Sequence, residues 1–398
     1  MELAIFTPID NLKTGGNYRF LRVIIRFPQD KFLLFMPRNS KNKLINDIKS
    51  SSTGISPDEK DKLLKVLSDA LELKDLKVGI LNYVSYGKYV AETAREYKVS
   101  LLYLPHEHAY FPIGFKASHI KWTELLQSTP VVGALSIEDG NGFQLFYRNL
   151  RNNYNYGLIK VVRSYLRFKL FQYATNGVTL LAVSASIPYE LSRLGVNVNI
   201  KVLNPGIGVD PCPYASNRDR DIDVIFFARI TPEKGIFDYL SIVSKLIKMV
   251  PNLKVAVMGF ASDDMKTRVL SKAAELGIRD RVEFIFNASR DDVLRNLSRS
   301  KIMIYPTKSD SFSLSVLEAL SCGTPVIAYA IPAIRLNYNT DAVIKVRPGN
   351  IHDAINSAYI VLTKGLWMEL GKSGFNFSQK YNWDTVAKTE WNALFSLF

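Results

Sequence analysis

The stretch TKSDSFSLSVLEALSCGTPVIAY, Thr307 to Tyr329, carries two carboxylates eight residues apart, Asp310 and Glu318. Glu318 sits among Val316, Leu317, Ala319 and Leu320, where burial without a hydrogen-bonded partner costs several kcal/mol. Two partners are open: an Arg or Lys elsewhere at the core edge, or a ligand hydroxyl pair such as a ribose. A second cluster, FFARITPEKG, sets Arg229 and Lys234 around a Thr-Pro-Glu turn. An Arg grips phosphate through its planar fork, while a Lys acts as a mobile point charge. Either cation alone reads as a solvated surface charge on a loop. Two cations at one strand end and an acid pair at another point to an anionic, hydroxylated ligand.

These residues need elements to place them. Apolar strand-length runs at 223–230, 253–259, 282–286, 301–307 and 324–330 alternate with helix-period segments at 235–250, 263–277, 290–300 and 313–323. Continuous apolar strands between amphipathic helices predict a parallel sheet covered on both faces, which binds ligands at the carboxyl ends of its strands. Ser309 or Ser311 is expected to cap a helix running through Ser321, with Gly323 ending it. The mouth of that helix then suits a phosphate. The N-terminal half repeats the plan less clearly, with strands expected at 3–8, 31–37, 76–81, 100–105, 129–135, 178–184 and 198–204. Residues 38–75, rich in Ser, Asn, Lys and Asp, read as an exposed insertion ending in a helix. The expected fold class is therefore α/β: two Rossmann-like doubly wound domains facing across a cleft. Their bounds are 1–204, a linker at 205–222, 223–378, and a C-terminal helix at 379–398 packing back on the N-terminal domain.

Length and composition agree with two domains, since one core rarely grows past roughly 250–300 residues and this chain has 398. No apolar run approaches the roughly 20 residues of a membrane span, and the N-terminus lacks the basic segment of a signal peptide. Cys212 and Cys322 have no metal-ligand spacing, which predicts a reducing cytoplasm and no disulfide. The formal charge of +14 favours anionic partners. Nucleic acid is not among the expected ones, because no recognition helix, zinc spacing or aromatic-basic strand pattern occurs. A dehydrogenase is disfavoured by the lack of Gly-x-Gly-x-x-Gly after the first strand.

Taken in order, FFARITPEKG, VAVMG, DSFSLSVLEALSCGTPVIAY and the tail YNWDTVAKTEWNALF resemble the retaining, nucleotide-sugar-dependent glycosyltransferases of the family 4 type, which have the GT-B fold. The resemblance spans the C-terminal half and extends more faintly through GGNYRF, TPVVGAL, LAVSASIPYEL and LNPGIGVD. It implies a hexosyl-type transferase that moves a sugar from a nucleoside-diphosphate sugar to a lipid-linked or polysaccharide acceptor, without a bound metal or other cofactor. Arg229 and Lys234 would hold the donor diphosphate, Glu318 the ribose, and Asp310 the transferred sugar. Backbone at Ser313 and Leu314 would add diphosphate contacts, and Gly15 and Gly16 would let the N-terminal backbone come close to donor or acceptor. No enzyme nucleophile is implied.

The sequence departs from that pattern at three places. Asp310 stands where the family usually has Glu, and Ser313 where it usually has Gly. Ser136-Ile137-Glu138-Asp139 stands where many relatives place a His near the reacting carbon, so Glu138 or Asp139 is a candidate for part of that role. His106 and His108 in LPHEHAY are the other acceptor-side candidates, for binding or proton handling, with a plain loop as the competing reading. A third spaced metal ligand does not follow them. The Asp-x-Asp run DRDID (219–223) reads as solvated charge in the linker.

The missing His and the altered acid also support a second function class, a catalytically silent nucleotide-sugar binder or partner subunit. Finally, 157–177 has helical period, with Lys160, Arg163 and Arg167 on one stripe opposite Leu158, Val161, Tyr165 and Phe168. Two readings remain: peripheral association with an anionic membrane face on the cytoplasmic side, or packing of the helix on the N-terminal sheet.

Overall fold

The computed structural model describes residues 3–11, 15–50, 55–77, 79–108, 110–135, 140–153, 155–213 and 219–398. The chain divides into two compact units. The first comprises Met1–Ala134, Glu138–Gly208 and Trp383–Phe398, and the second is formed chiefly by Val209–Asn382.

The first unit holds a seven-stranded parallel sheet. Its strands are β1 (Leu3–Phe6), β2 (Phe32–Pro37), β3 (Leu71–Leu73), β4 (Leu101–Leu104), β5 (Trp122–Leu126), β6 (Thr179–Ala182) and β7 (Asn199–Val202), in the order β3-β2-β1-β4-β5-β6-β7. The central strands are buried on both faces, as LAIF and LLYL require. Inside this unit Arg19 is fully enclosed and pairs with Glu390 at 2.5 Å, while the Tyr103 hydroxyl donates to the same carboxylate at 2.7 Å.

The second unit holds a six-stranded parallel sheet of β8 (Ile222–Phe227), β9 (Val255–Gly259), β10 (Val282–Phe286), β11 (Ser300–Tyr305), β12 (Val326–Tyr329) and β13 (Val343–Val346), ordered β10-β9-β8-β11-β12-β13. Strand order reverses between β8 and β11, so the chain leaves these neighbours toward opposite sides. A crevice at their carboxyl ends follows from that reversal. Among the described residues no helix is long and apolar enough to cross a membrane.

Several expectations are corrected. The strand expected at 76–81 is not found among its described residues: Gly79 has φ +142° and the Ile80–Glu96 helix starts after it. Nor is the strand expected at 129–135, where Val131 and Gly133 adopt φ of 69° and 67° and turn a chain in which Val132, Ala134 and Leu135 are buried without strand pairing. Residues 38–75 form two helices, Arg38–Ser50 and Pro57–Ser68, and then β3; Leu44, Ile48, Leu63 and Leu67 are fully buried, so this is part of the core. Cys212 and Cys322 are joined in a disulfide, because the fold brings Cα atoms 110 residues apart in sequence to 5.2 Å. Linear spacing held no sign of that pairing.

Candidate functional site

In the second unit, the sheet edge at the ends of β8 and β11 carries most of the residues singled out above. After β8 the chain passes Arg229 and Thr231 into a tight turn, Pro232–Lys234, which ends at Gly235 with φ +80°. A Cβ at Gly235 would collide with the carbonyl of Pro306, so only Gly lets this turn lie against the chain leaving β11. Lys308 N–H and the Thr307 hydroxyl both donate to the Glu233 carbonyl, at 2.8 and 3.3 Å, and fasten the two loops.

That fastening aims Lys234 at Asp310. Its buried Nζ donates to Asp310 Oδ2 at 2.8 Å and to the Ser309 carbonyl at 3.1 Å. Tyr305 donates its hydroxyl to the same Oδ2 at 2.6 Å, and Ser311 N–H donates to Oδ1 at 2.8 Å. Burial alone would raise the Asp310 pKa, but the Lys234 charge and hydrogen bond, joined by Tyr305, more than reverse it and hold the carboxyl below its ordinary value. Burial and the neighbouring Asp310 push the Tyr305 phenol up, so it stays a donor. An ammonium has three N–H donors, and two are used here; the third is uncommitted among the described residues.

The next helix runs Leu314–Ser321. Its N-cap is Ser313 and not Ser309 or Ser311, and Ser313 makes no side-chain cap; its backbone lies in the left-handed region at φ 71°, ψ 57°. A non-Gly residue there costs roughly 1 kcal/mol, a cost that Gly, usual at this place in the resembled family, escapes. The Ser313 carbonyl is held by the Tyr338 hydroxyl at 2.8 Å, while its own Oγ is buried without a hydrogen-bond partner. Leu314 is partly exposed beside it. The first turn of this helix follows Asp310 closely in the chain; Val316 N–H is taken by the Ser313 carbonyl at 2.9 Å, so Leu314 and Ser315 supply the amides it can offer an anion.

Glu318 lies further along the same helix and is buried. The structure gives it a protein partner: Arg290, the first residue of the Arg290–Ser298 helix, donates to Oε1. Arg290 also stands 3.9 Å from Asp210. Burial raises the Glu318 pKa, and Arg290 only partly offsets it. Arg229, at the end of β8, is exposed and makes no hydrogen bond or ion pair among the described residues. Lys234 and Asp310 are therefore in one hydrogen-bonded cluster with Tyr305 and Ser311, and Ser313 follows three residues after Asp310 at the helix start. Glu318 lies in that helix, and Arg229 shares the sheet edge. Tyr305, Tyr338 and Arg290 were not singled out in the sequence. Tyr305 alone had a local signal, as the last residue of a strand just ahead of Asp310.

In the first unit, Gly15 and Gly16 begin the Gly15–Ile24 helix after β1. A Cβ on Gly16 would come within 2.6 Å of Gln127 Oε1, so the glycine there makes room for a side chain from the end of β5. Gln127 Nε2 donates to the Pro105 carbonyl at 3.1 Å and lies 3.2 Å from His106 Nδ1. His106 is thereby joined to the glycine pair through a residue that sequence reasoning missed. Burial, with Arg19 nearby, pushes its pKa down to about 3. His108 is occupied differently: its Nδ1 accepts from Tyr110 N–H at 3.2 Å and Phe111 N–H at 3.4 Å, and its ring stacks 3.9 Å from Phe111. Burial and Arg167 push it down to about 4, so both imidazoles are neutral near pH 7. Glu138 and Asp139 lie outside the described residues. In the DRDID run, Asp221 pairs with Arg299 at 2.5 Å and Asp223 with Lys301 at 2.7 Å. Among the described residues no group of three or more His, Cys, Asp or Glu is placed to hold a metal.

Residues 215–360 match the family model described as "Glycosyl transferases group 1". The second unit contains a glycosyltransferase group 1 domain. That domain carries Arg229, Lys234, Arg290, Asp310, Ser313 and Glu318. Curated relatives include D-inositol 3-phosphate glycosyltransferase of Mycobacterium sp. (strain JLS), 34% identical over 144 residues, covering 33% of this chain and 32% of the relative. The corresponding protein of Kribbella flavida is 24% identical over 219 residues, 53% of this chain and 52% of its own. The chain thus spans about a third to a half of the length of these relatives. Solved structures of similar fold include Anabaena HepE in complex with UDP, with TM-score 0.68 and 14% identity over 100% of both chains. Sucrose-phosphate synthase from Thermosynechococcus elongatus gives TM-score 0.68 and 16% identity over 100% of this chain and 99% of that one. The group 1 domain and its N-terminal companion are the two parallel-sheet α/β domains of the GT-B glycosyltransferase structures.

Proposed function

We propose that the protein is a retaining glycosyltransferase that moves a hexosyl group from a nucleoside-diphosphate sugar to a glycan or lipid-linked acceptor at an anionic membrane face. The observation that carries this reading is the cluster at the switch point of the group 1 domain. There a buried lysine with one unused donor and an exposed arginine share a sheet edge with the open first turn of a helix. Such a set stabilises a departing diphosphate, and removing one donor of this kind typically costs roughly 3–4 kcal/mol of barrier lowering. Glu318, with Arg290 behind it, would receive the ribose hydroxyls. Asp310, oriented by Lys234, Tyr305 and Ser311, keeps acceptor capacity on Oδ1 for a sugar hydroxyl. Positive side chains and amides supply the charge neutralisation in this reading, so no metal is required. The N-terminal unit would present the acceptor, with Gly15, Gly16, His106 and His108 as its candidate residues.

UDP is the first nucleotide to test, since HepE has been crystallised with it. A thermal-shift panel of UDP, GDP, ADP and their sugars is expected to single out one nucleoside diphosphate, and the matching labelled sugar should be transferred or hydrolysed. Absence of stabilisation by every nucleotide sinks the proposal. The three donors already on Asp310 favour, as a second reading, a binder that does not turn its ligand over. Ligand-induced stabilisation with no donor cleavage would select it. Arg229→Ala serves as a clean probe of the site. Being exposed and unpaired, Arg229 should change stability by less than about 0.5 kcal/mol when removed, while nucleoside-diphosphate affinity, read by calorimetry, falls about tenfold.

A further inference from the structure

The Leu158–Thr175 helix of the first unit is apolar on two opposite sides. Its inner side, with Val161, Phe168 and Phe171, is buried. Its outer side carries Leu158, Ile159, Val162, Leu166, Leu170 and Tyr173, between 38% and 71% exposed. Their offsets of 1, 4, 8, 12 and 15 residues from Leu158 keep them on one face at 3.6 residues per turn, over roughly 20 Å. Six large apolar side chains share this exposed row, interrupted by Lys169, whose ammonium lies over the Tyr165 ring at 5.4 Å, and soluble surfaces rarely present such a row without a partner.

Charge beside the row identifies the partner. Lys160, Arg163 and Arg167 follow its flank, and none makes an ion pair or hydrogen bond among the described residues. Lys160 and Arg167 instead lie over the rings of Tyr156 and Tyr110, at 5.5 and 5.3 Å. From Gly140 to Tyr189 the sequence holds six Lys or Arg and no Asp or Glu. The three cations line an open groove of about 950 Å³ together with Ile80 and Tyr83 from the start of the Ile80–Glu96 helix, where Ile80 is 56% exposed. Glu107 is the one carboxyl lining it, and that group is already held by Gln127 N–H and the Ser128 hydroxyl. A protein partner would be expected to meet acidic and basic side chains in mixture; a cation-only flank beside an apolar row matches an interface of hydrocarbon topped by phosphate.

We infer that the outer face of the Leu158–Thr175 helix docks on an anionic lipid bilayer. The apolar row enters the headgroup–acyl boundary, the usual depth being about 5–10 Å, and Lys160, Arg163 and Arg167 take lipid phosphates in the groove. This deepens and rests on the membrane-side part of the proposed function, and it is independent of sugar transfer.

The test is co-sedimentation of the full chain with phosphatidylglycerol–phosphatidylcholine vesicles and with phosphatidylcholine alone, at roughly 0.05 and 0.5 M salt. Wild-type protein should bind the anionic vesicles at low salt and be released at high salt. Arg163→Ala with Arg167→Ala should weaken that binding about 25-fold, at roughly fivefold per cation. Ile159→Glu with Leu166→Glu should abolish it while the circular dichroism spectrum and melting temperature stay at wild-type values. The proposal is overturned by wild-type protein that ignores anionic vesicles at low salt, or by vesicle binding that both variants retain. It is equally overturned by a wild-type dimer that Ile159→Glu separates, which would assign the face to a second copy. Stabilisation by UDP, measured on the same preparations, reads the donor site separately. Vesicle binding without any nucleotide response would leave this inference standing and remove the transferase reading.

Discussion

Lys234→Ala is expected to lose about 3 kcal/mol of folding stability and roughly 100- to 1,000-fold in sugar-transfer kcat. The stability loss follows from burial on both sides of the pair: Lys234 Nζ and Asp310 Oδ2 are 2.8 Å apart, with side chains 11% and 19% exposed. Removing one member of a buried ion pair leaves the other charge uncompensated, which typically costs about 3–5 kcal/mol. Tyr305 and Ser311 still serve Asp310, so the lower end applies. The rate loss follows from the unused ammonium donor, which under the proposed function meets the leaving diphosphate. Acid titration adds a sign test. Asp310 in the fold lies below its unfolded value of 3.8, so its stabilisation is present above about pH 4 and is lost as pH falls through the lower folded value. Without Lys234 its two leading lowering contributions go while burial remains, so the carboxyl is expected to rise from its lowered value. The acid dependence should then flatten, and Lys234→Ala should lose less stability than wild type as the pH drops through 4. Thermal melts across the acid range read this directly. Lys234→Met combined with Asp310→Asn should recover most of the stability and none of the turnover. Recovery of both would reduce Lys234 to a structural partner of Asp310.

The part of this cluster that could be read in advance was chemical type and sheet edge; the part that could not was pairing. Strands β8, β9, β11 and β12 announced themselves because they are covered on both faces, leaving uninterrupted apolar runs such as DVIFF and KIMIY, and the edge strand β10 did so through the apolar residues of VEFIF. β13 escaped notice because it is an edge strand with Lys345 in its middle. In the first unit, apolar runs had other causes. Ile80 and Leu81 are exposed at a helix start, and Val132 and Leu135 are buried in a turn that left-handed residues bend away from any sheet. The same limit governs the site. Asp310 and Lys234 are 76 residues apart and Arg290 and Glu318 are 28 apart, so which cation meets which acid depends on strand order, which local periodicity does not encode. The Cys212–Cys322 bond and the contact of Gln127 with Gly16 arise in the same way.

Arg290 bears on the second large effect, because it offers Glu318 a reason to exist that involves no ligand. Glu318→Gln separates the two roles. Burial, with Asp210 adding to it, raises the Glu318 carboxyl above its unfolded value of 4.5 despite Arg290. A raised carboxyl stabilises the fold fully below its unfolded value and loses that contribution as pH rises through the folded one. At neutral pH the charged form is therefore a burden on folding, and an amide that still accepts from Arg290 should leave stability within about 1 kcal/mol of wild type. Nucleotide affinity should respond far more. A carboxylate that accepts ribose hydroxyls makes charged hydrogen bonds of about 1.5–3 kcal/mol, so calorimetry with UDP is expected to show about 10- to 100-fold weaker binding. Using the 2′-deoxy analogue of UDP closes the cycle. Wild-type protein should discriminate against it about tenfold, and Glu318→Gln should treat both nucleotides nearly alike, because the group that reads the hydroxyl has lost its charge. A variant that melts several degrees lower yet binds UDP as wild type does would give Glu318 to Arg290 alone.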